Sequence, residues 1–372
     1  MVLRASYPIP ELPPPNVDFQ SQELLTALVS AHRYLAELKG CAMSIPNQTI
    51  LINTLVLQEA KASSEVESYV TTQDELFQAD LHIAEWVSPA VKEVSRYREA
   101  LMYGFDRMRQ QQGVLGNSTL IALFQLLKNS NETFRTGGGT VLKNEKTGAT
   151  VFIPPQDGTQ VLAHMRALER FINDDSACEL DPIIKMALIH HQFESIHPFS
   201  DGNGRIGRIL CVLYLVQTGL LDTPLLYLSR YINQHKNDYY RLLQAVRDAS
   251  GDATASAANW QAWVLFMLNA VEQTARQAVQ LVKGMRELMA ETKLRMRNES
   301  NLYSQDLLNN LFRHPYTRIE FVQSDLGITR QTAARYLRQL VKTGLVQEFG
   351  QGKRLYFINV PLVQLLAQGE QV

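Results

Sequence analysis

Twelve residues near the middle of the chain, His197 to Arg208 (HPFSDGNGRIGR), lie between two stretches that have the apolar spacing of helices. Upstream, residues 181–196 place apolar side chains on one helical stripe, and downstream, residues 205–221 are apolar enough for a buried helix. The loop between them carries a histidine, an aspartate, an asparagine and two glycines. It leads into a helix N-terminus, where free N–H groups and the helix dipole favour an anion. The sequence therefore predicts an anion-binding site between two helices.

Glycines and arginines in this loop have the spacing of a phosphate cradle. Gly202 and Gly204 lack a Cβ, so they can adopt positive φ and let a ligand approach the backbone closely. Arg205 and Arg208 are three residues apart, so they are predicted to share one helical face and to reach phosphate oxygens together. A glycine-bearing loop before a helix is by itself only a turn. Twelve residues in this order indicate a phosphate-binding enzyme instead.

Asp201 and His197 supply the chemistry that such a cradle needs. Asp201 offers a hard carboxylate oxygen, the single protein ligand that Mg²⁺ accepts when phosphates and water provide the others. His197 is the natural general base for a hydroxyl nucleophile. A zinc site built from His190, His191 and His197 is the competing interpretation, but HExxH spacing and a cysteine pair are absent. A purely structural interpretation makes one of His190 and His191 a core residue and the other an exposed one.

The string HPFSDGNGRIGR matches the Fic family signature, HPF-x-D/E-GNGR-x-x-R, at every specified position, and on this ground the chain resembles that family. Fic proteins mostly transfer AMP from Mg-ATP to a Ser, Thr or Tyr hydroxyl of a target protein. The resemblance therefore implies a protein adenylyltransferase, a nucleotidyltransferase that uses ATP and Mg²⁺ and also modifies itself. His197 resembles the catalytic base and Asp201 the metal ligand, while Phe199 is expected to pack inward. The nucleotide-binding residues implied by the resemblance are Gly202, Asn203, Gly204, Arg205, Ile206, Gly207 and Arg208, of which Arg208 would bind the γ-phosphate.

A second motif, EAKASSEVES, resembles the inhibitory motif [S/T]-x-x-x-E-[G/N] of Fic proteins, with Ser63 and Glu67 at its two key positions. In that family the glutamate pairs with the second arginine of the signature, here Arg208, and blocks placement of the γ-phosphate. Ser68 departs from the pattern, because glycine or asparagine is usual there. The alternative is that Ser64 and Glu67 form a capping box, S-x-x-E, at a helix start.

A hairpin and a tyrosine pair extend the resemblance. Residues 134–155 break the helical rhythm, with a polar turn after Leu142 and a β-branched run from Thr150, which predicts a hairpin. It lies where Fic proteins carry the flap that clamps a target segment by main-chain pairing. Tyr239 and Tyr240 align with a Fic tyrosine pair, and Tyr240 is predicted to stack on adenine. A core role for one or both tyrosines is the alternative.

The C-terminal residues 302–372 have the helix and strand order of a winged helix. Three predicted helices, the third starting after Thr329, precede strands at 345–349 and 354–359. Residues 302–360 carry eight Lys and Arg against four Asp and Glu, a net charge of +4, which is the local charge that phosphate contacts require. DNA binding through this segment is one prediction. Protein contact or dimerisation is the alternative, since a fold does not determine function.

Together these elements predict a mainly α protein, with a Fic-fold helical core, a β-hairpin flap and a C-terminal winged helix-turn-helix domain. The predicted domains are 1–80 (N-terminal arm and helical segment with the inhibitory motif), 81–275 (catalytic core), 276–301 (connecting helix) and 302–372 (winged helix). The remaining element predictions are an extended proline-rich arm over 1–20, a helix over Gln48–Ala60, irregular structure over 69–78, a helix over Leu81–Met108, a helix opened by Trp260, and a separate helix over Ala275–Asn298.

Charge and cysteine use indicate a compartment. The net charge of −1 creates no overall field towards nucleic acid or membrane. Cys41, Cys178 and Cys211 are odd in number and form no CxxC pair, which favours a reducing interior. No stretch has the length and apolarity of a membrane span or a signal peptide. We therefore predict a cytoplasmic protein without membrane contact, and leave a homodimer open.

Two alternatives to AMP transfer stay open. The same motif can transfer UMP, phosphate or phosphocholine, or remove AMP. From a different class comes a DNA-binding regulator, in which the nucleotide site only senses and the winged helix provides the output.

Overall fold

The chain folds mainly into helices, as its apolar spacing predicts. The computed structural model describes residues 7–81, 87–143, 147–174, 176, 179–249, 253–300, 302–350 and 355–371. From Tyr7 the proline-rich arm runs without helix or strand, as predicted, and Phe19 is buried near its end. None of the described helices is both long and apolar enough to cross a lipid bilayer. The first helices are α1 (Gln22–Ala42), α2 (Gln48–Leu51), α3 (Leu57–Val66), α4 (Gln73–Asp80) and α5 (Pro89–Gln110).

The central part of the chain contains the most buried pair of helices, α8 and α9. In α8 every residue from Ile183 to Ile196 is buried. The loop that joins α8 to α9 therefore starts from a helix that is packed on all sides. The helices of this part are α6 (Asn117–Lys128), α7 (Gly158–Asn173), α8 (Pro182–Ile196), α9 (Asn203–Gln217), α10 (Ser229–Gln234), α11 (Lys236–Asp248) and α12 (Ala253–Arg295).

A two-stranded hairpin lies between α6 and α7, which confirms its prediction. Strand β1 (Leu142–Lys143) pairs antiparallel with β2 (Thr150–Phe152). Residues 144–146 of the predicted turn lie outside the described residues. The backbone N–H of Tyr7 donates to the carbonyl of Ile153 at 3.0 Å. The N-terminal arm therefore binds directly beyond the end of β2.

The helix predicted over Gln48–Ala60 is longer than predicted. It continues from α2 through a π-helical segment, Ile52–Val56, into α3 and ends at Val66. No glycine or proline interrupts this run, so nothing in the sequence stops the helix at Ala60.

The prediction of irregular structure over residues 69–78 is wrong, because α4 begins at Gln73. Thr72 Oγ1 accepts a hydrogen bond from the Glu75 N–H at 3.2 Å, and Glu75 Oε2 accepts one from the Thr72 N–H at 2.9 Å. This reciprocal pair is a capping box, T-x-x-E, and it is the sequence signal for the helix. Phe77 is buried on the inner side of α4.

The helix predicted from Leu81 begins later, at Pro89. Ser88 caps it, since its hydroxyl accepts a hydrogen bond from the Val91 N–H at 3.2 Å, as expected for serine before proline at a helix start. Leu81 lies in a turn, and residues 82–86 lie outside the described residues.

The two helices predicted near Trp260 and from Ala275 are one helix, α12, which continues into a π-helical segment at Met296–Ser300. The run contains no proline and a single glycine, Gly284, so no residue breaks it. α12 packs along α1. The predicted border between a catalytic core and a connecting helix therefore falls inside one continuous element.

The C-terminal module consists of three helices, a short strand after the first of them, two further strands after the third, and a final helix. The three strands form an antiparallel sheet in the order β3-β5-β4. The three helices and the last two strands follow the predicted order, whereas β3 and the final helix α16 were not predicted. The winged-helix assignment stays a prediction. Residues 351–354, including the predicted strand start at Arg354, lie outside the described residues. The elements are α13 (Gln305–Arg313), β3 (Tyr316–Thr317), α14 (Ile319–Leu326), α15 (Arg330–Lys342), β4 (Gln347–Phe349), β5 (Tyr356–Ile358) and α16 (Val360–Gln371).

The C-terminal module packs against the N-terminal helices. The rings of Phe77 on α4 and Tyr316 on β3 lie 5.4 Å apart. The Tyr316 hydroxyl also donates to Asp74. Asn53 Nδ2 donates to the carbonyl of Arg313 at 3.4 Å. The segment that carries the predicted inhibitory motif is therefore in direct contact with this module.

Candidate active site

The loop from His197 to Gly202 joins the ends of α8 and α9. The backbone of His197 is left-handed (φ 50°), and Gly202 enters α9 with φ 75°, a conformation that favours glycine. Arg135 holds the loop, because its Nε donates to the His197 carbonyl at 2.7 Å and its Nη2 to the Ile196 carbonyl at 3.1 Å. Protein contacts alone thus hold the loop in place.

Asn203 closes the loop with its side chain. Its Oδ1 accepts from the Phe199 N–H, and its Nδ2 donates to the Phe199 carbonyl, both at 2.9 Å. The Phe199 ring is fully buried, as predicted, and stacks on Phe124 at 4.3 Å. The amide of Asn203 is therefore committed to the loop, and only its backbone is free for an anion.

The N-terminus of α9 offers free donors. The Gly202 N–H donates to Asp201 Oδ1 at 2.6 Å. Among the described residues, the N–H groups of Asn203, Gly204 and Arg205 make no hydrogen bond. Unpaired N–H groups at the positive end of a helix dipole attract anions.

Predicted site residues meet in a cavity of about 750 Å³ between the end of α3, the hairpin, α8, α9 and α11. Three signature residues line it, namely His197, Gly204 and Arg208, together with Tyr239 and Tyr240. The other predicted nucleotide-binding residues pack inside the protein around α9 instead: Gly202, Asn203, Arg205, Ile206 and Gly207.

Arg205 does not line the cavity with Arg208, contrary to prediction. Its buried guanidinium pairs with Glu93 on α5 and lies 5.4 Å from the centre of the Tyr69 ring. Three residues correspond to about 300° of helical rotation, which leaves the two side chains about 60° apart, and α5 packs against the side of α9 that carries Arg205. Burial lowers the pKa of Arg205. Its side chain is structural in this conformation.

Arg208 is held by the helix that carries the inhibitory motif. Its Nε donates to Ser63 Oγ at 2.8 Å, and its Nη2 donates to the Ser63 carbonyl and to Glu67 Oε1, each at 2.9 Å. Burial by itself would lower the pKa of Arg208, but Glu67, Tyr239 and Tyr97 together more than offset burial and raise it. Both predicted inhibitory residues therefore contact this arginine.

The Glu67 carboxylate also lies over the N-terminus of α9. A Cβ placed on Gly204 would come within 2.5 Å of Glu67 Oε1 and 3.0 Å of Arg208 Nη1. Only glycine fits at this position with Glu67 in place. The Glu67 carboxylate thus lies next to both the N-terminus of α9 and the Arg208 guanidinium.

Glu67 does not cap a helix start, which excludes the capping-box alternative. It is the C-cap residue of α3, and the Ser64 hydroxyl is buried without a described hydrogen-bond partner. The following residue, Ser68, is left-handed with φ 67°. The Ser68 N–H donates to the Glu65 carbonyl and the Tyr69 N–H to the Ser64 carbonyl, each at 2.9 Å. This is a Schellman motif, whose left-handed position favours the glycine or asparagine of the family pattern.

His197 is neutral at physiological pH. Burial, together with the positive charges of Arg247 and Arg135, lowers its pKa to about 3. Its Nδ1 is buried and has no hydrogen-bond partner among the described residues. A neutral imidazole on the wall of an anion-binding cavity can accept a proton.

Asp201 fits the role of a single carboxylate ligand for Mg²⁺. It lies beside the free N–H groups of α9, and its side chain is largely exposed. Its Oδ2 accepts from Lys128 Nζ at 2.6 Å. Burial would raise the pKa of Asp201, but Lys128, the Gly202 N–H and His197 together more than offset burial and lower it. The carboxylate is therefore ionised, and a metal ion has to compete with Lys128 for Oδ2.

The histidines do not form a zinc site. No three His, Cys, Asp or Glu side chains converge as metal ligands in the described part of the chain. His190 and His191 are both fully buried. His190 Nε2 lies 2.8 Å from the Tyr239 hydroxyl, and His191 Nε2 lies 3.1 Å from the Leu243 carbonyl. The expectation of one exposed histidine is wrong, because α11 and α12 cover this side of α8.

The two tyrosines differ in exposure. Tyr239 is buried and its hydroxyl is paired with His190. Tyr240 is 44% exposed and lines the cavity. Lys236 Nζ lies 6.0 Å from the centre of its ring. Of the pair, only Tyr240 has a ring face accessible to a ligand.

Sequence reasoning overlooks two buried charged residues of the cavity wall. Glu194 lies one helical turn before His197, and this spacing is the signal that could have found it. Arg247 on α11 donates from Nε to Ser195 Oγ at 3.0 Å and from Nη2 to the Glu194 carbonyl at 2.9 Å. Burial lowers the pKa of Arg247 to about 10. No local pattern identifies Arg247, because its partners come from a distant helix.

Three family models match the chain in consecutive segments. They are the Fic/DOC family N-terminal model over residues 25–106, the Fic/DOC family model over 118–215, and the C-terminal domain model of protein adenylyltransferase SoFic-like over 288–362. The chain belongs to the Fic/DOC family. Within it, the signature loop and α9 fall in the second segment, and the motif around Glu67 falls in the first.

Similar Fic proteins come from animals and bacteria. "Protein adenylyltransferase Fic" of Drosophila yakuba is 33% identical over 96 residues, which cover 26% of this chain and 18% of that protein. "Protein adenylyltransferase fic-1" of Caenorhabditis elegans is 34% identical over 65 residues, which cover 18% and 13%. The matches thus span less than a fifth of these relatives. A crystal structure of a Fic family protein from Desulfovibrio desulfuricans shares the fold, with TM-score 0.53 and 21% identity over 90% of this chain and 95% of that one.

Proposed function

We propose that the protein is an adenylyltransferase that moves AMP from Mg-ATP to a Ser, Thr or Tyr hydroxyl of a target protein, and to itself. The observation that supports this most is the meeting of neutral His197, the N-terminus of α9 and Arg208 at one cavity. A base, an anion cradle and a cation are the groups that nucleotidyl transfer to a hydroxyl requires. The names of the curated relatives support the same class.

In the proposed reaction the target hydroxyl attacks the α-phosphorus of ATP. His197 accepts the hydroxyl proton as the new O–P bond forms. The bond from the α-phosphorus to the bridging oxygen breaks, and pyrophosphate leaves. The N–H groups of Gly204 and Arg205 stabilise the phosphate charge, Arg208 binds the γ-phosphate, and Tyr240 stacks on the adenine.

Asp201 is the residue that would hold Mg²⁺. When bound, the ion neutralises charge on the phosphates. Both Asp201 oxygens already accept hydrogen bonds, Oδ2 from Lys128 Nζ and Oδ1 from the Gly202 N–H, so Lys128 would compete with an ion for this carboxylate.

The target segment is proposed to pair with the hairpin. Main-chain pairing to a free strand edge binds an extended peptide without requiring a particular sequence. Tyr7 of the N-terminal arm binds the Ile153 carbonyl next to β2, so β1 is the edge left for a target. Leu142 and Lys143 of β1 line the cavity, which supports delivery of the hydroxyl to His197.

Glu67 is proposed to inhibit the reaction by taking the place of the γ-phosphate. Its carboxylate binds Arg208 at 2.9 Å and lies against Gly204. Lys236 Nζ donates to the Val66 carbonyl at 2.5 Å and stabilises the C-terminal end of α3, next to Glu67. ATP in its productive position and Glu67 therefore compete for one arginine.

Incubation with a lysate and ATP labelled in parallel on the α- or γ-phosphate tests the transfer. In the Glu67→Gly background we expect the α label on protein and the γ label in pyrophosphate. His197→Ala should abolish labelling while ATP affinity stays within a few-fold, because other groups hold the phosphates. Retention of only the γ label, or full labelling by His197→Ala, contradicts the proposal.

Glu67→Gly tests the inhibition. Freed from the carboxylate, Arg208 can bind the γ-phosphate, and the initial rate of AMP transfer should rise by about tenfold or more, for which about 1.4 kcal/mol is sufficient. Glu65→Gly is the matched control, because Glu65 lies in the last turn of α3 and pairs with Lys61 instead. Equal rates for the Glu67 variant and the unmodified protein would reject inhibition by this residue.

DNA binding by the C-terminal module is the second candidate. The observation that favours it is a row of exposed polar and basic side chains along α15: Gln331, Arg335, Arg338 and Lys342. Their spacing of three and four residues places them on one helical face, which is suitable for phosphate contacts.

A further inference from the structure

We infer that Glu194 is a second counter-ion of Arg208, and that it takes up a proton when the terminal phosphate of a nucleotide binds at this arginine. Nucleotide affinity would then depend on pH through a residue outside the signature. This inference rests on the proposed function, because it requires that Arg208 binds a nucleotide phosphate.

The geometry around Glu194 supports a role in the cavity. The residue lines the cavity with Glu67, Gly204 and Arg208. It is 7% exposed, and its Oε1 has no hydrogen-bond partner among the described residues. A Cβ on Gly207, the residue before Arg208, would lie 3.0 Å from this oxygen. A buried acceptor without a hydrogen-bond partner costs free energy, so such a group usually binds a ligand or is protonated.

Charged groups from three neighbouring elements act on Glu194. Arg208 of α9 and Arg247 of α11 favour its charged form, and Glu67 of α3 opposes it. Above pH 7, where Glu194 is ionised, two carboxylates thus balance two guanidinium groups in the present conformation. When a nucleotide displaces Glu67, phosphate charges replace one carboxylate, and Glu194 becomes the nearest group that can neutralise the surplus.

The other titratable groups beside Glu194 do not take up a proton when the nucleotide binds. His190, on the same helix, has its Nδ1 3.2 Å from the Gly207 Cβ position, but burial lowers its pKa to about 3. Burial likewise raises the pKa of Tyr239 on α11, so it stays a neutral phenol. Burial raises the pKa of Glu194 to about 7. Burial also raises the pKa of Glu59 on α3 to about 7, but Tyr97 and Ser229 donate hydrogen bonds to its oxygens, and it does not line the cavity. Glu194 is therefore the group on the cavity wall whose pKa lies in the physiological range.

The sign of the pH dependence follows from proton uptake. Below pH 7 Glu194 is largely protonated in the free protein, and phosphate binding requires no further proton. Above pH 7 a proton has to be taken from solvent, and affinity falls by up to about tenfold per pH unit. Between pH 6 and pH 8 the total loss is about tenfold, because roughly nine-tenths of a group with a pKa near 7 is ionised at pH 8.

Calorimetric titration with the Mg²⁺ complex of a non-hydrolysable ATP analogue between pH 6 and pH 8 tests this inference. Glu67→Gly serves as the parent and Glu67→Gly/Glu194→Gln as the variant. The Gln variant should bind more tightly than the parent, and its advantage should grow by up to about tenfold per pH unit, because loss of the Glu67 charge lowers the pKa of Glu194 and favours its ionised form in the free parent. Titration of the nucleotide itself is common to both proteins and cancels in the ratio. Buffers of different ionisation enthalpy should show proton uptake at pH 8 that the Gln variant lacks.

Two controls make the outcome decisive. Glu194→Asp keeps a titrating carboxyl group and should retain the pH dependence, whereas Glu65→Gln removes a carboxylate from α3 outside this cavity and should behave as the parent. An affinity ratio that is constant from pH 6 to pH 8, with unchanged proton uptake, overturns the role of Glu194 alone. Absence of nucleotide binding in every variant overturns the proposed function as well.

Discussion

Arg208 is the residue on which the proposed inhibition depends. Three acceptors from Ser63 and Glu67 surround its guanidinium. Ser63 is fully buried, whereas the Glu67 side chain is 31% exposed. A nucleotide can therefore reach and displace Glu67 while Ser63 continues to orient the arginine.

Ser68 is the residue at which the inhibitory motif departs from the family pattern. Its left-handed backbone leads to a testable prediction. A non-glycine residue in this conformation costs about 1–2 kcal/mol, partly offset by the greater flexibility of unfolded glycine. Ser68→Gly should raise the free energy of unfolding by about 0.5–1 kcal/mol and lower basal AMP transfer, because Glu67 is held more firmly. Urea unfolding and initial transfer rates measure both effects.

Ser68→Ala is the matched control for that prediction. Alanine keeps the strain and adds no flexibility, so it should not stabilise the protein. If Ser68→Gly and Ser68→Ala have the same stability and the same basal rate, the left-handed position does not limit the inhibitory contact.

Single residues also show where reading the sequence succeeds and where it stops. His197, Gly204 and Arg208 meet at one cavity as predicted, because they belong to one loop and one helix turn. Arg205 was expected beside them but pairs with Glu93, a residue far away in sequence. Spacing along a helix gives relative angles, but only the packing of α5 determines which side of α9 is buried.

Among the helices, α4 links the inhibitory segment to the C-terminal module. It starts shortly after Glu67 and carries Phe77, which packs on Tyr316. Asp74, which also lies on α4, accepts a hydrogen bond from the Tyr316 hydroxyl. The position of α4 therefore constrains the end of α3 through a short connection.

Phe77→Ala should loosen this link. Removing a buried phenylalanine costs about 3–5 kcal/mol, so the denaturant midpoint should fall. Basal AMP transfer should rise, because Glu67 loses support from α4. Phe321→Ala is the control, since Phe321 packs on His314 within the C-terminal module at 4.7 Å. An unchanged transfer rate in Phe77→Ala, with lowered stability, would show that α4 does not support the inhibitory contact.

Across the whole molecule, the cavity and the exposed row on α15 belong to different parts of one chain. The helical segment from Gln48 to Asp80 contacts both parts, through Glu67 at the cavity and Phe77 at the C-terminal module. A ligand of the C-terminal module would therefore act on the cavity through this segment, if it changes how the module is packed.

DNA binding by α15 makes a quantitative prediction. Arg335→Ala/Arg338→Ala should weaken duplex DNA binding at all sequences and reduce the slope of log K against log salt by about 1.8, since each phosphate contact contributes about 0.9. Titration of a labelled duplex at several salt concentrations measures the slope. Arg313→Ala is the control, because Arg313 lies on α13 and pairs with Asp325. A slope unaffected by the double substitution would reject this face as the DNA contact.

The sequence by itself determined the helical character, the hairpin, the order of the C-terminal elements and the candidate residues of the signature loop. These depend on local spacing, on glycine conformation and on helix ends, which neighbouring residues encode. The tertiary structure decided which of these residues line the cavity, and that Glu67 ends a helix against Arg208 instead of starting one. It also added Glu194, Arg247 and Lys128. Their roles arise from contacts between helices that are distant in sequence, and burial among those helices shifts the pKa of Glu194 and of Arg247.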